Sequence, residues 1–84
     1  MRTEGADMTI IEAVSRRMYD VMEEKGFTPF QIHKQGGVAK STISQVLNGT
    51  RKNIKITTIQ EMASTMGMTL DEFFNDPIFK EITD

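Results

Sequence analysis

The segment KSTISQVLN, residues 40–48, concentrates the side chains best able to engage another molecule. At about 100° per residue, Ala39, Ile43, Val46 and Leu47 fall on one side of a helix, and Lys40, Ser41, Ser44, Gln45 and Asn48 on the other. The polar side carries one cation, small hydroxyls and amides, with no acid and no bulky apolar group. Its chemistry is recognition by hydrogen bonding, not bond making. Gln can meet adenine through N6 and N7, Lys can donate to guanine O6 and N7, and Ser can serve either base. A carboxylate here would face phosphates, and a large side chain would hold the helix out of a groove. A plain solvated face of an all-α bundle uses similar residue types, so this helix alone does not decide the matter.

Catalysis and metal binding find no comparable support. The chain has no cysteine and a single histidine, His33. It shows no nucleophile–base pair at recognisable spacing and no glycine-rich phosphate loop. Asp71-Glu72 and Glu23-Glu24 read as helix-start and solvated-face acids, and one histidine with scattered acids does not make a metal site. The expectation is a protein that is not an enzyme and holds no metal or cofactor. The sequon at Asn48-Gly49-Thr50 has a structural reason in the turn it marks. Of the seven methionines, most sit at core spacing. His33 could titrate near neutral pH and modulate helix packing, although such a residue is more often half-buried and hydrogen-bonded.

Charge sharpens the first reading. The net charge is −2 and the pI about 5.3. Yet no Asp or Glu lies between Lys25 and Gln60, while Lys25, Lys34, Lys40, Arg51, Lys52 and Lys55 all do. That block carries +6, and the remainder sets four basic residues against twelve acids. An acid-free basic block is the pattern of a local polyanion-binding face, and the field at that face matters more than the total.

The elements that must position these residues are signalled by repeated caps. Thr9 with Glu12, Thr28 with Gln31, and Thr69 with Glu72 each form a capping box. Ile11, Val14, Met18, Val21 and Met22 recur at helical spacing, giving a first helix from about residue 10 to 25, stopped by Gly26. Pro29 starts a short second helix, with a Phe27–Ile32 staple, ended by Gly36-Gly37. The third runs from about 40 to 47 and stops at Asn48-Gly49. A basic loop leads to a fourth, which places Ile56, Ile59, Met62, Ala63 and Met66 on one face. A fifth, stapled by Met68 and Phe73, extends to about Asn75. No alternating run competes for a strand.

These signals describe an all-α, compact five-helix bundle containing a helix-turn-helix. With 84 residues it is one domain, which must rely on regular helix packing or on a partner subunit. Residues 1–8 are expected to form a disordered tail, 9–75 the domain, and 76–84 a C-terminal segment too apolar at Ile78, Phe79 and Ile82 for a free tail. It either packs back or meets a second subunit. The start of the chain has no apolar leader and no run approaches a membrane span, so the expected location is cytoplasmic.

From about Met8 to Phe74 the sequence resembles the lambda-repressor-like (Cro/repressor, or Xre) helix-turn-helix family. The resemblance rests on Gly37 in the turn, Val38 after it, STIS at 41–44, LNG at 47–49, Ile59, Met62 and Ala63, and MGMTLDEFF at 66–74. It implies base-reading positions at Lys40, Ser41 and Gln45. It puts phosphate contacts at Thr42 and Asn48, flanked by Ser44, with Thr50, Arg51, Lys52 and Lys55 of the following loop along the backbone. Phosphate contacts set register and most of the affinity, and base contacts carry sequence choice. The chain departs from the pattern in four places. His33 replaces a small residue, Gly36 an apolar one, Ala39 a Ser or Thr cap, and Pro29 a polar residue.

The resemblance further implies a sequence-specific transcriptional regulator, repression being the default, bound as a homodimer to a partly palindromic double-stranded operator. The rival is a protein-interaction module of the same fold, such as an antitoxin with a toxin partner. A purely protein-binding member would tolerate acids on the third helix and its loop, and this chain has none.

Overall fold

Three threonines start three helices by one local mechanism. The hydroxyls of Thr9, Thr28 and Thr69 accept from the backbone N–H of Glu12, Gln31 and Glu72 at 3.1, 3.2 and 3.1 Å. Those side chains accept in return from the threonine N–H groups at 2.9, 2.8 and 3.0 Å. Each hydroxyl cap contributes about 1 kcal/mol by satisfying donors that the helix itself leaves unpaired. The helices so begun are α1 (Ile10–Lys25), α2 (Pro29–Gly36) and, after two others, α5 (Leu70–Phe74). Between them α3 (Lys40–Asn48) and α4 (Ile56–Thr65) start at Ala39 and Lys55 with no side-chain cap. A 3-10 turn, Pro77–Glu81, follows α5.

The computed structural model describes residues 8–83. Among these residues the architecture is all-α with no strand, only an isolated parallel bridge between Met8 and Ile82. Val14, Met18, Val21 and Met22 of α1 meet Ile32, Ile43, Val46, Ile59, Met62, Ala63 and Phe73 in one core. Removing each of the larger side chains from water contributes about 1.5–3 kcal/mol before chain entropy is charged against it. Phe27 and Met68, the outer halves of the expected staples, pack half-buried against that core. α1 lies on α3, α2 bridges α3 and α4, and α5 rests on α4.

Two apolar positions differ from their sequence-based placement. Ala39 was expected in the buried stripe of α3, but it is the exposed N-cap with extended backbone, so helical spacing does not reach it. Ile56 opens α4 and is 55% exposed, because the first turn projects beyond the core that buries Ile59 and Met62.

The C-terminal segment packs back on the domain. Phe79 joins Phe73 and Phe74 in an aromatic cluster, with ring centroids 6.1 and 4.9 Å away. Of the tail expected at residues 1–8, residues 1–7 lie outside the described residues. Its last member, Met8, accepts at its carbonyl from Thr83 N–H at 2.9 Å. Arg17 of α1 holds the far end of α5: its Nε and Nη2 donate to the carbonyls of Phe73 and Glu72 at 2.8 and 3.0 Å, and Nη1 pairs with Asp76 at 3.2 Å.

Candidate nucleic-acid interface

The presentation of α3 is fixed from three sides. Its own apolar stripe buries Ile43 and Val46 completely, with Leu47 half-buried beside them. Its last turn is tethered to α1, where Ser15 Oγ donates to the Leu47 carbonyl at 2.7 Å. This satisfies one of the C-terminal carbonyls that a helix leaves open. Its first turn is reached through the turn after α2.

That turn explains His33. Gly37, in the left-handed region at φ 74°, ends α2 and donates its N–H to the His33 carbonyl at 3.0 Å. The His33 ring then reaches across the turn, with Nδ1 2.7 Å from the Val38 carbonyl. A carbonyl can only accept, so Nδ1 carries the hydrogen in either the neutral or the charged ring. His33 therefore serves as a brace of the turn. The small residue of the common pattern could not span this distance.

Gly36 has an equally specific cause. A Cβ at this position would strike the hydroxyl of Thr65 on α4, with Thr65 Cβ 3.3 Å away. The larger apolar residue of the common pattern cannot fit where α2 approaches α4 this closely.

On the outward side, Lys40, Ser41, Ser44, Gln45 and Asn48 are exposed in one row, and Thr42 is half-buried. Asn48 Nδ2 donates to Ser44 Oγ at 3.3 Å. In the loop after α3, Thr50, Lys52 and Lys55 are exposed, with Lys55 at the start of α4. Arg51 is placed differently. It is half-buried and turned back, Nη1 donating to Gln45 Oε1 at 2.7 Å and Nε to the Asn53 carbonyl at 3.1 Å. The fold thus joins one expected base reader to a residue expected on the backbone.

Phe30 was not singled out by the sequence reading. It stands 55% exposed on α2, with the ammonium groups of Lys34 and Lys40 at 5.8 and 5.5 Å from its ring centroid. The ring orients Lys40 at the start of α3 by cation–π attraction. Its signal in the sequence was an aromatic residue falling outside the apolar stripe of a short amphipathic helix.

Among the described residues no helix is long and apolar enough to cross a membrane. Comparison with curated proteins and with solved structures finds no match. A helix-turn-helix family model matches residues 18–73, two thirds of the chain, spanning everything from the middle of α1 to Phe73 of α5. With α2, the turn, α3 and α4 all inside that match, the chain belongs to the Cro/C1-type helix-turn-helix family of DNA-binding regulators.

Proposed function

We propose that this protein is a sequence-specific binder of double-stranded DNA that represses transcription by occupying its operator. The observation that carries this reading is the outward row Lys40, Ser41, Gln45 on α3 beside a basic loop, with no acid from Lys25 to Gln60. α3 lies in the major groove and α2 crosses the backbone. Lys40, Ser41 and Gln45 read base edges, and Thr42, Ser44, Asn48, Thr50, Lys52 and Lys55 meet phosphates. Arg51 also adds its charge to the backbone field. One short helix reads few base pairs, so two copies act together as a homodimer on a partly palindromic site. Repression follows from excluding polymerase from the occupied site, in the cytoplasm.

The test is a bind-and-sequence selection on a random duplex library at near-physiological salt. An enriched inverted repeat, with half-sites about one helical turn apart, is the expected result. Salt-sensitive binding without a motif would reduce the function to a basic face. No binding at all would transfer the function to a protein partner.

A further inference from the structure

The contact between Arg51 and Gln45 has a chemical consequence for the base that α3 selects, given the DNA-reading function proposed above. A guanidinium has five donors and no acceptor, so the amide atom 2.7 Å from Arg51 Nη1 must be the oxygen. The orientation of the Gln45 amide is therefore fixed by chemistry. Arg51 is itself held, half-buried, by the bond from its Nε to the Asn53 carbonyl at 3.1 Å. The cap on Gln45 is thus built before any ligand arrives.

A free glutamine offers an acceptor beside a donor, the complement of the N6 amino group and N7 of adenine. A glutamine whose oxygen already accepts from a guanidinium offers its amino group, beside a cation. An adenine N6 amino group would have to share that oxygen and lie against the positive charge. Guanine presents two adjacent acceptors, O6 and N7, which suit an array of donors. We propose that Arg51 sets the base preference of Gln45, converting it from an adenine-type to a guanine-type reader. Arg51 is then a positioning residue for sequence choice, in addition to any charge it lends the backbone.

The experiment repeats the random-duplex selection on the intact protein and on Gln45→Ala, Arg51→Ala and Arg51→Lys, with the salt dependence of binding measured for each. Circular dichroism melts establish that all four are folded. Gln45→Ala should lose preference at one base pair of each half-site, and the unmodified protein should take guanine there. Arg51→Ala should shift the guanine-to-adenine ratio at that same pair by roughly ten-fold toward adenine, within the range of a base-edge contact. Arg51→Lys keeps the charge but not the planar fork. It should shift the same pair while its salt slope stays at the original value.

A uniform loss across all sequences in Arg51→Ala, with an unchanged motif and a salt slope lower by about one unit, would make Arg51 a phosphate anchor and overturn the proposal. Adenine at that pair in the unmodified protein, or no change there in Gln45→Ala, would also overturn it while leaving sequence-specific binding intact. If the unmodified protein enriches no motif, sequence reading itself fails and the proposal falls with it.

Discussion

Gly36 at the end of α2 lies so close to Thr65 at the end of α4 that a Cβ on the glycine would collide with the threonine hydroxyl. That hydroxyl is itself engaged, donating to the Glu61 carbonyl at 2.7 Å. Turning the threonine aside would break this bond, and Thr65 Cβ would still be in tight contact. Gly36→Ala should therefore destabilise the fold by about 1–3 kcal/mol, the usual cost of overpacking. Urea denaturation measures it. Thr65→Ala in the same chain should recover part of the loss, and strictly additive losses would show that the two residues are not in conflict.

His33→Ala removes the donor that reaches the Val38 carbonyl across the turn. The expected loss is about 1–2 kcal/mol, set by one hydrogen bond and the partly buried acceptor it leaves behind. Operator affinity should fall by more than the change in folded fraction explains, because the angle between α2 and α3 loses its brace. Equal operator binding at full occupancy of the folded state would assign His33 to stability alone.

Arg17 joins α1 to the carbonyls of Glu72 and Phe73 and to Asp76. Arg17→Ala should cost about 1.5–3 kcal/mol, in the range for hydrogen bonds made by a charged donor. Arg17→Lys should recover little of this, since one ammonium cannot reproduce the planar fork. Thermal melts of the two variants decide it, and near-complete recovery by lysine would reduce the role of Arg17 to charge.

Gln45→Ala should weaken binding to the best selected duplex by about 1–3 kcal/mol and relax preference at one position. Titration of selected and random duplexes checks this. Equal weakening on both would remove Gln45 from base reading.

Lys52→Ala should weaken all sequences alike and lower the salt slope by about one unit, as expected when one phosphate contact and its released counterion are lost. A changed motif in this variant would mean that the loop reads bases.

The legible parts of the fold were those whose causes lie within one helical turn. Thr9, Thr28 and Thr69 each find their capping partner three residues on, so the starts of α1, α2 and α5 can be read directly from the sequence. The exposed row on α3 was equally readable, because Ile43 and Val46 determine which way the helix faces. What could not be read joins distant parts of the chain. Arg17 meets Phe73 across 56 residues, and Gly36 meets Thr65 only once α2 and α4 have packed. Arg51 lies six residues from Gln45, yet their contact depends on a loop path that no local pattern encodes. Family resemblance marked His33 and Gly36 as departures, but it left their causes to be found in the turn and the helix crossing.

The tether between Ser15 and the last turn of α3 also bears on time. A helix of nine residues does not persist in water by itself. With Ile43 and Val46 sealed in the core and its end tied to α1, α3 cannot melt without opening the domain. Its hydrogen-bonded amides should therefore exchange only as slowly as the surrounding core opens, which hydrogen exchange would measure. The surface it carries meets a ligand already ordered, so little backbone entropy remains to be lost on contact. Encounter is then governed by diffusion and orientation, with no folding step between collision and capture.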